Sequence, residues 1–169
     1  MLGYVTGGER GQADVVLAEV AARLRAEGAA LAGVVQLNDE FDAARPCHMD
    51  LHILTGTQVV RISQNLGALS KGCRLDPAGL EQAVGVVARA LEAGPELLIV
   101  NKFGKQEADG RGFRPLIGQA LAAGIPVLTA VNAGNRAAFE SFADGLGVAL
   151  ACSHEAVLQF CHDQLEGST

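Results

Sequence analysis

The stretch Leu2-Gly3-Tyr4-Val5-Thr6-Gly7-Gly8-Glu9-Arg10-Gly11-Gln12-Ala13-Asp14 decides how the rest of the chain reads. It opens on an apolar run and turns on glycines, and apolar residues then recur at Ala13, Leu17, Val20, Ala21 and Leu24 with helical spacing. Strand, glycine loop and helix follow one another. Gly28 ends the helix as a cap residue, and Leu31 to Gln36 reads as the next buried strand, which completes a βαβ unit by residue 36.

The pattern continues outward from there. Residues 38–47 are polar and loop-like, and Asp50 to Leu54 and Thr57 to Ser63 flank Thr55-Gly56, a hairpin inserted into the α/β order. Gln64 to Arg74 shows little periodicity. Asp76-Pro77 starts a helix that runs to about Glu92, and Gly94-Pro95 punctuates it. Leu97-Leu98-Ile99-Val100 is the most strongly buried strand. A Gly-rich loop follows, then a helix from about Phe113 to Ala122, the strand Pro126 to Val131, a helix near Arg136 to Phe142, a short strand Gly147 to Ala151 and a last helix from Ser153 or His154. This alternation predicts an α/β fold, a doubly wound and mostly parallel sheet with one inserted β-hairpin, over residues 1–169 as a single domain. Ligands of such sheets sit beyond the carboxyl ends of the strands, which singles out the loops Thr6 to Asp14 and Asn101 to Glu107.

Composition narrows the function classes. The chain has 169 residues, 49% of them apolar and 19% charged, without Trp, so its core is aliphatic. Thirteen Lys and Arg against nineteen Asp and Glu give a net charge of -6, and no basic tract occurs, which argues against nucleic acid as a general partner. Met1 to Val5 runs straight into the glycine turn without a basic leader, and no apolar run reaches the ~18 residues of a membrane span, so a cytoplasmic protein without membrane insertion is expected. Cys47, Cys73, Cys152 and Cys161 form no CxxC pair and are thiols by default in a reducing compartment. Cys152 and Cys161, set beside Val157, Leu158 and Phe160, read as buried and inert.

A phosphate-binding loop needs glycines that let N–H groups turn inward, a Lys for the outer phosphates and a Ser or Thr hydroxyl for magnesium. With Gly11 as the glycine before the usual Lys, Gln12 stands at the Lys position and Ala13 at the hydroxyl position, while Thr6 replaces the first glycine. The frame is present and its side chains are changed. A glycine turn that merely leads a strand into a helix is the alternative.

The second loop bears on that choice. Leu97 to Val100 followed by Asn101-Lys102-Phe103-Gly104-Lys105-Gln106-Glu107 resembles the Walker B segment of the small thermophilic-type nucleoside triphosphatases, in which an apolar strand leads into Asp-Glu, an apolar residue, Gly-Lys, an apolar residue and Glu. Gly104, Lys105 and Glu107 match that pattern; Asn101 replaces the magnesium-orienting Asp and Lys102 the Glu expected to activate water. The resemblance spans roughly residues 1 to 131. Cys47-His48-Met49-Asp50-Leu51, Arg61-Ile62-Ser63-Gln64, Gly72-Cys73-Arg74-Leu75-Asp76-Pro77 and Asn101 to Glu107 together resemble a bacterial domain-of-unknown-function family related to those triphosphatases. The resemblance implies a P-loop NTPase-type fold with degenerate Walker motifs and an association with molybdenum-uptake functions.

Phosphoryl transfer relies on Lys and magnesium to compensate charge, and all four usual contributors are altered, at Gln12, Ala13, Asn101 and Lys102. Exchanging a carboxylate pair for an amide and a cation suits direct binding of an anion. The expected function is therefore binding of a nucleotide or smaller phosphate-like anion at Thr6, Gly7, Gly8, Glu9, Arg10, Gly11, Gln12 and Ala13, with Asn101, Lys102 and Lys105 nearby and little conventional hydrolysis. A solvated strand-end charge is the alternative for Lys102.

A second expectation, from the family context, is a molybdenum-related accessory protein that holds an oxyanion or metal; Cys47, Asp50 and Cys73 are its candidate metal or redox residues, with His48 and His52 on the face of Asp50. A third is residual triphosphatase activity with Glu107 or Asp109 as base. No cofactor beyond a nucleotide or oxyanion is implied, and a homo-oligomer or a protein partner stays open. Arg61, Lys71 and Arg74 are either further positive potential at the same mouth or surface charge.

Overall fold

In a computed structural model the fold is described for residues 1–38, 49–64 and 75–168. Five parallel strands make the body of the sheet: β1 (Leu2–Thr6), β2 (Leu31–Asn38), β5 (Leu97–Val100), β6 (Val127–Ala130) and β7 (Gly147–Ala151). The hairpin β3 (Met49–Ile53) and β4 (Val59–Arg61) joins antiparallel at the β2 side, which gives the order β4-β3-β2-β5-β6-β1-β7. The expected α/β sheet with an inserted hairpin is the observed one. Ile53 N–H bonds to Gln58 O at 2.9 Å, so the hairpin connection occupies residues 54–58 around Thr55-Gly56.

Among the described residues six α-helices flank the sheet: α1 (Gln12–Ala26), α2 (Pro77–Glu92), α3 (Lys105–Ala108), α4 (Arg114–Ala122), α5 (Arg136–Ala143) and α6 (His154–Glu166). Strand side chains alternate between two cores, as the two-residue period requires. Leu98 and Val100 of β5 face α2, α4 and α5, where Leu80, Val87, Leu116, Ile117 and Phe139 are buried. Leu97 and Ile99 face α1 and α6, where Leu17, Val20, Leu24, Val157 and Phe160 are buried. Helices on both faces are what makes β5 apolar at every position rather than at alternate ones.

The start signals in the sequence hold physically. Asp76 Oδ1 accepts Ala78 N–H at 3.0 Å and Pro77 occupies the first turn of α2. Ser153 Oγ accepts Ala156 N–H at 3.2 Å at the start of α6. Helix α3 is a difference from the sequence reading, which had only a loop there. It is a single turn closed by its own side chain: Glu107 Oε2 accepts Gly104 N–H at 3.0 Å.

One residue in this core works against the fold. Thr129 on β6 is fully buried, and its Oγ1 has no hydrogen-bond partner among the described residues. Burying a lone hydroxyl costs about 1–3 kcal/mol, so Thr129→Val, which keeps the shape, is expected to raise the melting temperature by several degrees. An unchanged or lowered melting temperature would count against that reading. Among the described residues no helix is long and apolar enough to cross a membrane.

Candidate functional site

All five parallel strands end on one side of the sheet, and there the loop after β1, the turn after β5, the segment after β6 and the first turn of α1 meet. They enclose a cleft of about 570 Å³. Thr6, Gly7, Gly8, Glu9, Arg10, Gly11, Ala13 and Asp14 line one side of it, and Lys102, Ala130, Val131, Asn132, Ala133 and Arg136 the other.

The loop owes its course to three glycines: Gly7, Gly8 and Gly11 have φ of 81°, 82° and 81°, a region costly for residues with a Cβ. Their chain direction leaves the N–H groups of Gly7, Gly8, Arg10 and Gly11 without a hydrogen-bond partner among the described residues. Such a run of unpaired N–H groups at a helix start is a concavity of positive potential.

Gln12 does not line the cleft. Its Oε1 accepts Glu9 N–H at 2.9 Å and its Nε2 donates to Cys152 O at 3.2 Å, so it fastens the back of the loop to the β7–α6 junction. A Cβ on Gly8 would lie 2.8 Å from Gln12 Oε1 and 2.9 Å from Cys152 Sγ, which ties the glycine to this fastening. Cys152 is half-buried there, and burial pushes its thiol pKa up. It is thus less enclosed than the sequence placed it. Cys161 is fully buried as expected, with its pKa pushed up to about 12 by desolvation.

Three cations face the cleft: Arg10, Lys102 and Arg136. Lys102 is exposed and has no hydrogen-bond or ion-pair partner among the described residues. Arg136 bonds Glu140 through Nε at 2.8 Å, and that carboxylate, with a smaller contribution from Tyr4, pushes the guanidinium pKa above its ordinary value. The sequence reading missed Arg136, although its place just after the strand of β6 was the available signal. Lys105 is not part of this cleft; it lines a neighbouring recess, together with Asn101.

Asn101 is buried at the end of β5 inside a polar network. Its Nδ2 donates to Asp14 Oδ1 at 2.9 Å and lies 3.5 Å from Gln36 Oε1, while its Oδ1 accepts Gln36 N–H at 3.0 Å. Asp14 and Gln36 are buried as well. The amide thus places a donor, not a second carboxylate, against Asp14. Glu107 is also buried, and its two oxygens accept backbone N–H groups of Gly104 and Phe113 at 3.0 and 3.2 Å. Desolvation raises its pKa despite those bonds. One oxygen therefore closes the α3 turn and the other ties it to the start of α4. Asp109 is exposed, 3.7 Å from Arg111.

Asp50, grouped with Cys47 and Cys73 from the sequence, takes Arg61 in two bonds across the hairpin, Nε to Oδ1 at 3.0 Å and Nη2 to Oδ2 at 3.2 Å. Cys47, His48, Lys71, Cys73 and Arg74 lie outside the described residues. Among the described residues, no three of His, Cys, Asp or Glu are grouped so as to hold a metal ion.

With this geometry in hand, three similarities bear on it. The model of a family described as "Protein of unknown function (DUF2478)" matches residues 2–160. The chain is 38% identical over 151 residues to the Molybdenum import ATP-binding protein ModC 2 of Bradyrhizobium diazoefficiens; the matched stretch is 89% of this chain and 17% of that much longer protein. The crystal structure of THEP1 from Aquifex aeolicus superposes with a TM-score of 0.65 over 96% of each chain at 15% identity, a likeness of fold.

Proposed function

The chain belongs to the DUF2478 family, and we propose that it binds a phosphate-like anion, free or as the phosphate chain of a nucleotide, in the cleft of the Thr6 to Ala13 loop. The observation that carries this is the run of unpaired N–H groups at Gly7, Gly8, Arg10 and Gly11 in a cleft that Lys102 and Arg136 also line. An anion there gains several short charge-assisted bonds at once. The ATP-binding name of ModC 2 favours a nucleotide as one form of that anion.

Hydrolysis is not the role this site fits. Gln12 supports the loop from behind and supplies no charge, Asn101 occupies Asp14 through an N–H donor, and Lys102 stands where a base would be needed. Glu107 spends both oxygens on the backbone. Anion charge is then compensated by side-chain cations without magnesium.

A titration of thermal stability against phosphate, sulfate, ATP and GTP, each with and without magnesium, tests this, because a ligand of the folded state stabilises it as RT ln(1 + [L]/Kd). Phosphate or a nucleotide is expected to stabilise the chain without magnesium, and Lys102→Ala to weaken that ligand about tenfold. Equal affinity in Lys102→Ala, or stabilisation by nothing in the series, would defeat the proposal.

The similarity to a molybdenum import protein favours a second reading of the same cleft, in which the anion is molybdate, a tetrahedral oxyanion like phosphate. Selective stabilisation by molybdate, and molybdenum found by elemental analysis of protein from molybdate-fed cells, are its expected results. Their joint absence rules it out.

A further inference from the structure

Beside the glycine-loop cleft lies a second recess of about 340 Å³, lined by residues of the hairpin, α2, the turn after β5 and the start of α4. Its chemistry differs from that of the cleft. Met49 and Leu51 of β3 with Ile62, Leu80 and Phe113 make an apolar wall. Lys102 and Lys105 line the same recess, both exposed and both without a hydrogen-bond or ion-pair partner among the described residues. Two uncompensated cations beside an apolar recess are notable in a chain of net charge -6.

We infer that this recess is a second and separate binding site, for a small organic molecule with an apolar body and one anionic head group. The body lies against Met49, Leu51 and Phe113, and the head meets Lys102 and Lys105. The volume falls in the range of small-molecule pockets, about 300–1,000 Å³, and a mostly apolar lining with a few convergent polar groups is their usual make-up. Glu107 also borders the recess, with its two oxygens bound to the Gly104 and Phe113 N–H groups. The site also accounts for the hairpin, whose strand β3 supplies the apolar wall.

This site lies beyond the anion reading, and the two clefts share Lys102 and Asn132 in their linings. An anion on the glycine loop and the head group in the recess therefore draw on one ammonium. Occupation of one site weakens the other by a finite factor, and by linkage the weakening is mutual.

Anilinonaphthalene sulfonate, an apolar body with one anionic head, is the probe. Titrated into the full folded chain below its melting temperature, it is expected to bind one saturable site with enhanced emission. Met49→Glu, which sets a carboxylate into the apolar wall, should weaken it at least about tenfold, Met49→Leu should leave it bound, and Lys102→Ala should weaken it about fivefold. Leu75→Glu, a partly exposed position of the same wall, serves if Met49→Glu does not fold. Saturating inorganic phosphate should raise the apparent Kd of the probe to a plateau. Absence of saturable binding, unchanged affinity in a folded wall variant, or an apparent Kd that climbs with phosphate without limit each overturns the inference. Binding of the probe and its loss in the wall variants are read without phosphate, so the two proposals fail separately.

Discussion

Replacing Gly33 by alanine is expected to keep the chain from folding. Gly33 sits inside β2, opposite Ile99 of β5, with φ of 118°. A Cβ built there would lie 1.8 Å from the carbonyl oxygen of Ile99 and 2.7 Å from its carbonyl carbon, both backbone atoms of a fully buried strand. Neither can rotate away as a side chain could. Relief requires β2 to part from β5, which breaks their hydrogen-bond ladder, and Leu54 N–H, held by Gly33 O at 3.0 Å, would lose its place too. A cost above about 4 kcal/mol follows, a large share of the ~5–15 kcal/mol that holds a domain of this kind together. Soluble yield and a thermal melt by circular dichroism measure it. A soluble alanine variant that melts with the parent would refute it. The same displacement would separate Gln36 from Asn101, so a partly folded variant should also lose anion binding.

Gly33 shows where the sequence stops being legible. The run Leu31 to Gln36 announces a buried strand by its apolar content, but the need for glycine arises from Ile99, 66 positions further on, and local pattern carries no trace of it. The site divides the same way. Glycines at 7, 8 and 11 between a strand and a helix are a local signal, and the loop they form lines the cleft except at Gln12. The direction of Gln12 is not local. Gln12 stands at the position of the usual loop Lys, yet its carboxamide turns to the carbonyl of Cys152, 140 positions away. Arg136 enters the cleft only because β6 lies between β1 and β5 in the sheet, an order that the sequence left open. Helix α3 escaped the periodicity reading because one turn has no period, and a single carboxylate returning to Gly104 closes it.

Asn101→Asp is the sharper test of what the altered loop residues mean. The substitution turns an N–H donor 2.9 Å from Asp14 Oδ1 into a carboxylate oxygen, with both side chains buried. Two buried carboxylates at that separation cannot both ionise cheaply, so the variant is expected to lose about 3 kcal/mol of stability at neutral pH. The sign of its pH dependence is fixed by linkage. The upper pKa of the pair rises above that of Asp in the unfolded chain, so the folded state holds the extra proton, and lost stability returns as pH falls through that raised value. Magnesium should repair the loss in the same place, since two carboxylates and waters are what a hexacoordinate magnesium takes, while the parent chain gains nothing from it. Melting temperatures of parent and variant across pH, with and without magnesium, read both effects. A variant that matches the parent at neutral pH and ignores acid and magnesium would show that the amide is not standing in for a cation. Rescue by acid would mean that the two carboxylates repel across the place where the amide now donates, and rescue by magnesium that one atom exchange at the end of β5, beside Lys102, makes room for a metal.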